Sequence, residues 1–127
     1  MKRPVERAVE QIRATFEPSP LTICEDGEGG AVVIVETVPL GAPYDQENTW
    51  LGGHLTFQYP YSDVYPLFVR GDLSRSDSRS LGEALSPVTF KQRPAIQISR
   101  RSNHMNPATD TAVLKFLKVL EWLKARP

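Results

Sequence analysis

Residues 50–69 read Trp50-Leu51-Gly52-Gly53-His54-Leu55-Thr56-Phe57-Gln58-Tyr59-Pro60-Tyr61-Ser62-Asp63-Val64-Tyr65-Pro66-Leu67-Phe68-Val69. From Gly53 to Tyr59, His54, Thr56 and Gln58 alternate with Leu55, Phe57 and Tyr59. That two-residue period predicts a strand with one buried face. The pairs Tyr59-Pro60 and Tyr65-Pro66 then break the ladder, since proline has no amide to donate. Leu67-Phe68-Val69 opens a further strand beyond this crossover.

Working back from this stretch, the loop Pro39 to Asn48 leads to Ala31-Val32-Val33-Ile34-Val35, a β-branched run. Glu25-Asp26-Gly27-Glu28-Gly29-Gly30 supplies a turn that joins it to a short strand over Leu21 to Cys24, which predicts a hairpin. Residues 4–16 place Val5, Ala8, Val9, Ile12 and Phe16 on one helical stripe, and Glu17-Pro18-Ser19-Pro20 ends that helix.

Downstream, residues 70–94 have weak periodicity and read as irregular, with Ser80 to Leu85 as one short helical turn. Long irregular stretches in compact domains are usually functional. Asn106-Pro107 has the form of an N-cap followed by a first-turn proline. Val113, Phe116, Leu117, Leu120 and Leu123 then repeat at helical spacing. The expectation is one α+β domain over residues 1–127: N-terminal helix, antiparallel meander of about four strands, long irregular segment, C-terminal helix.

Charge narrows the function. Lysine plus arginine number 15 and so do aspartate plus glutamate, so the chain lacks the general attraction to phosphate backbones or acidic membranes that a basic protein has. Nucleic acid and membrane are not expected partners. The basic start, Met1-Lys2-Arg3, leads into an amphipathic pattern rather than an apolar signal core, which places the protein in the cytoplasm. A single cysteine, Cys24, excludes an internal disulfide, and with only His54 and His104 beside it no Cys/His zinc cage can be assembled. No metal or cofactor is expected.

The segment 50–69, with its Gly-Gly turn leading a strand into an aromatic-Pro and Tyr-Pro crossover, resembles ubiquitin-conjugating enzymes. The stretch Ile96-Gln97-Ile98-Ser99-Arg100-Arg101-Ser102-Asn103-His104-Met105-Asn106-Pro107 is similar to that family's active-site segment, and Val119-Leu120-Glu121-Trp122-Leu123 to a helix of its bacterial branch. An unrelated α+β domain whose Tyr-Pro pairs pack an edge strand is the alternative reading of the same residues. The resemblance implies a ubiquitin-conjugating-enzyme-like (UBC/RWD-like) fold. It also implies two partners, a ubiquitin-like protein and its activating enzyme.

It equally implies a missing nucleophile. The family's cysteine, which carries the modifier as a thioester, is matched by Gln97. Its His-Pro-Asn element is matched only by Ser86-Pro87-Val88, which lacks the amide donor. Cys24, in a strand, reads as a small buried hydrophobe. Ser99, two residues after Gln97, would project to the same side and is the candidate acceptor for an oxyester, with Ser102 and Ser86 behind it and His104 as candidate base. The competing reading ends a strand at Ser99 and leaves His104 in a polar loop. The chain is thus either a serine-using carrier or a scaffold without catalysis.

Lys91, Arg93, Arg100 and Arg101 add positive charge that either steers an acidic partner or solvates a loop. Tyr44, Trp50, Tyr61 and Tyr65 are candidate partner contacts. Tyr59, Phe57 and Phe68 are assigned to the core.

Overall fold

The apolar stripe near the N-terminus becomes helix α1 (Arg3–Phe16), which buries Val5, Ala8, Val9 and Ile12. The computed structural model describes residues 1–127. The strands are β1 (Leu21–Glu25), β2 (Ala31–Pro39), β3 (Asn48–Leu55), β4 (Leu67–Arg70), β5 (Leu85–Phe90) and β6 (Arg93–Ile98), and the last helix is α2 (Ala112–Lys124). All neighbouring strands are antiparallel, in the order β1-β2-β3-β4-β6-β5. The molecule is α+β, with two helices and one open six-stranded sheet.

Both helices lie on one face. A cluster of 24 buried residues joins Val5 and Ile12 of α1 and Phe116 and Leu123 of α2 to Val33, Val35, Leu51, Val69, Ile96 and Ile98 of the sheet. Because strand side chains alternate, Ile34, Trp50, Gly52, Phe68 and Gln97 point to the opposite, helix-free face. The glycine pair serves both faces. A Cβ on Gly53 would lie 2.6 Å from Leu67 Cδ2, and one on Gly52 would lie 3.0 Å from Ile34 Cγ1 and 3.1 Å from Phe90 Cε2. Any larger pair would push layers apart on both sides of β3 at once.

On the helix-free face, Phe90 stacks on Phe68 with centroids 4.0 Å apart, Trp50 lies 6.3 Å from Phe90, and the Arg93 guanidinium sits over Trp50. Arg93 also donates two hydrogen bonds to Glu36, at 2.8 and 2.7 Å. Thr22 donates a further one to Glu36.

The four-strand meander stands as β1 to β4, and the rest of the sheet corrects the expectation. Residues 85–94, within the stretch 70–94 read as irregular, form with residues 95–98 the β5–β6 hairpin, which docks through β6 on β4. Its two-residue turn, Lys91-Gln92, has φ of 50° and 63°. This is the left-handed geometry that Asn-Gly usually supplies, so the turn carries no sequence signal. Ser80 to Leu85 forms no helical turn. The third strand runs Asn48–Leu55 rather than Gly53 to Tyr59. It stops at Leu55, and Tyr59 and Tyr61 donate their amides to turn carbonyls of Thr56 and Gln58.

Helix α2 starts five residues later than Asn106-Pro107 implies. Its cap is Thr111, whose Oγ1 accepts from the Leu114 amide at 3.3 Å. Asn106 instead turns on itself: its Oδ1 accepts from the Ala108 amide at 2.9 Å, while Asp110 accepts from the Asn106 amide at 2.6 Å. Asn favours both roles.

Candidate functional site

Gln97 lies in β6 between Phe68 of β4 and Ser86 of β5, its Cα partners on either side. Its amide Nε2 donates to Ser99 Oγ at 3.2 Å, and the Ser99 backbone amide donates to the Ala84 carbonyl at 2.8 Å. The two side chains therefore share a side, as their spacing implied. Neither Ser99 nor Ser86 has a carboxylate or imidazole at hydrogen-bond distance. His104 is exposed in a turn with φ of 54° and hydrogen-bonds to neither Ser99 nor Ser102.

Ser102 belongs to a different group. Its hydroxyl donates to Asp63 Oδ1 at 2.9 Å and accepts from Lys115 Nζ at 3.0 Å. Its amide donates to Asp63 Oδ2 at 2.7 Å. Lys115 Nζ also donates to both Asp63 oxygens and, at 2.7 Å, to the Arg100 carbonyl. Every partner of Nζ is an acceptor, so it acts as an ammonium with no lone pair to take a proton. Burial pushes the Asp63 carboxyl up, but the Ser102 amide, Lys115 and the Ser102 hydroxyl outweigh it and hold the carboxyl below its ordinary value. A carboxylate stabilised in this way is a weak base. The cluster ties the 56–66 and 99–111 loops to α2, and the Ser102 hydroxyl is spent in it.

Sequence reasoning missed this cluster, although a signal exists. Lys115 falls among the buried positions Ala112, Phe116 and Val119 of α2, and a cation on an apolar stripe needs a buried partner.

Other assignments also move. Cys24 is exposed on edge strand β1 rather than buried. Tyr44, taken as an interface aromatic, is 3% exposed and its hydroxyl donates to the Leu123 carbonyl at 2.9 Å. Phe57, assigned to the core, is 45% exposed, because β3 ends before it. Tyr59 is buried as expected, and its hydroxyl accepts from the Ala112 amide at 2.9 Å. Tyr61 is 78% exposed. Trp50 and Tyr65 are half-buried beneath Arg93 and Arg101. Phe68 is half-buried on the helix-free face.

Phe57 and Tyr61 flank the largest cleft, of about 660 Å3, which lies between α1, the Tyr-Pro loop and the turn before α2. Lys2, Arg7, Gln11 and Gln58 also line it, and no carboxylate does. Lys2 Nζ lies 5.3 Å from the Phe57 ring centroid, and Arg7 has no ion-pair partner. The side-chain amides of Gln11 and Gln58 are unpaired.

No three His, Cys, Asp or Glu side chains are grouped closely enough to hold a metal ion, and no helix is long and apolar enough to cross a membrane. Comparison with family models, curated proteins and solved structures finds no match to this chain.

Proposed function

We propose that this chain is a conjugating-enzyme-like scaffold of a bacterial ubiquitin-like modification pathway in the cytoplasm. It binds the ubiquitin-like protein or its activating enzyme without taking the modifier covalently. The observation that carries this reading is the chemistry around Gln97. The position that the resemblance gives to the cysteine holds an amide, and the nearest hydroxyl, Ser99, accepts a hydrogen bond from that amide and has no base. A serine without a base is a poor nucleophile at neutral pH.

Two features support the conjugating-enzyme-like part. Ser86, from the Ser-Pro-Val stretch matched to His-Pro-Asn, is the direct strand partner of Gln97. The crossover after Leu55 presents Tyr61 to solvent rather than packing it. The groove beside α1 supplies the docking surface: Phe57 and Tyr61 offer aromatic anchors, Gln11 and Gln58 offer amides for a partner backbone, and Lys2 and Arg7 select acidic residues. The partner segment is therefore apolar at one position and acidic at another.

The test is incubation of the purified chain with a bacterial ubiquitin-like protein, its activating enzyme and ATP, followed by intact mass spectrometry and calorimetry. Binding without an adduct, weakened about tenfold by combining Phe57→Ala with Arg7→Glu, is the expected result. A hydroxylamine-labile adduct that disappears in Ser99→Ala would make the protein an oxyester-carrying enzyme instead. Absence of both adduct and binding would end the reading altogether.

A further inference from the structure

Along α2 lies another cleft, of about 220 Å3, lined by Arg100, Arg101, Asp110, Lys115, Lys118 and Trp122 among others. Its charges divide into two kinds. Lys115 is neutralised by Asp63 at 3.0 Å, and Lys118 faces Asp110 at 3.9 Å. Arg100 and Arg101 have no carboxylate partner. Each lies over an aromatic ring instead, Arg100 at 4.9 Å from the Trp122 centroid and Arg101 at 4.0 Å from that of Tyr65.

Successive side chains of an extended chain point apart, yet both arginines border one cleft. The chain has left the sheet by then, and its path is held where the Arg100 carbonyl accepts from Lys115 Nζ and Ser102 is bound to Asp63. The rings restrict the planar guanidinium groups and leave their N–H edges unpaired, an arrangement suited to bidentate oxyanion recognition. Two positive charges remain uncompensated, which matches a phosphate monoester, close to a dianion at neutral pH. The volume lies below the roughly 300 Å3 at which clefts begin to enclose whole drug-sized ligands, so one anionic group fills it.

We propose that the cleft between Arg100, Arg101 and the flank of α2 is a binding site for a phosphate monoester. The proposal stands apart from the scaffold reading, whose groove lies beside α1.

The experiment titrates the 15N-labelled full chain with inorganic phosphate, with O-phosphoserine and with acetate, at neutral pH and constant ionic strength. Phosphate and phosphoserine are expected to shift the amides of residues 100–103 and 115–118, with acetate binding at least about fivefold more weakly, because a monoanion leaves one guanidinium charge uncompensated. The double variant Arg100→Gln with Arg101→Gln should weaken phosphate about tenfold or more, while Arg13→Gln, at an exposed arginine outside both clefts, leaves it unchanged. Both arginines are exposed, and an unchanged amide spectrum verifies that the double variant is folded. Arg101→Lys, which keeps the charge and loses the fork, should weaken phosphate severalfold.

A phosphoserine peptide that binds about tenfold tighter than inorganic phosphate would identify a phosphorylated side chain as the source. Equal affinity would identify the phosphate group alone. Acetate binding as tightly as phosphate, shifts confined to other residues, or affinity unmoved by the double variant would each overturn the proposal.

Discussion

The two faces of the sheet are closed by different means. One is covered by α1 and α2, with Phe116 and Ile12 fully buried between helices and strands. The other is covered only by the sheet's own side chains: Phe90 reaches from the edge hairpin over Phe68 toward Gly52, and Arg93 lies over Trp50. A helix layer removes apolar surface from water along its whole length, whereas an aromatic stack does so at one patch. The helix-covered side should therefore supply most of the stability. Two clefts lie at its margins, one between α1 and the loop before α2 and one along α2, and a third, of about 480 Å3, lies on the helix-free side beside Glu36, Trp50 and Arg93. The helix-free face, where the resemblance places catalysis, holds Gln97 and a serine without a base.

The largest effect tests that asymmetry directly. Phe116→Ala should cost about 3–5 kcal/mol by urea unfolding, since a fully buried ring leaves both lost transfer energy and a cavity. Phe90→Ala, which removes a half-buried ring, should cost about 2 kcal/mol. If Phe90→Ala proved the costlier of the two, the aromatic stack would be the principal layer and the comparison would be inverted.

The glycine pair sharpens the same contrast at neighbouring residues. Gly53→Ala drives a methyl against Leu67 beneath α2 and should cost about 2–3 kcal/mol, while Gly52→Ala meets Ile34 and Phe90 at looser contact and should cost about 1 kcal/mol. Equal melting temperatures for the two variants would show that both faces yield alike.

These differences also mark how much was legible in the sequence. The helix stripe at Val5, Ala8, Val9 and Ile12 and the β-branched run at Ala31 to Val35 declare themselves by period, and both lie where predicted. The β5–β6 hairpin is not legible, because Lys91-Gln92 adopts positive φ without glycine or asparagine, and Pro87 and Pro94 interrupt any strand pattern. The third strand was displaced because alternation continues through Phe57 while the hydrogen-bonded ladder stops at Leu55. At the site, the adjacency of Gln97 and Ser99 follows from strand spacing alone. The Asp63–Lys115 contact spans 52 residues and needs the fold to be known.

The smallest effect separates the faces by pH. Five carboxylates, Asp26, Glu36, Asp63, Asp72 and Asp77, are held below their ordinary value, and two of them report on opposite faces: Glu36, chiefly by its hydrogen bonds from Arg93, and Asp63, whose burial is outweighed by Ser102 and Lys115. A lowered folded value means that the unfolded chain takes up the proton first as pH falls. The stabilisation is complete above the ordinary carboxylate value of about 4 and is lost as pH drops through the lower, folded value. The chain has two tryptophans, Trp50 beneath Arg93 and Trp122 on α2. Trp122→Phe and Trp50→Phe variants therefore report one face each by fluorescence. Arg93→Gln, which costs about 1 kcal/mol at neutral pH because the pair is partly exposed, should remove the Glu36 share of the acid titration seen by Trp50 and leave that seen by Trp122 in place. Loss of both together would mean that the helix-free face has no separate stability, and that the ion pair over Trp50 acts on the whole fold.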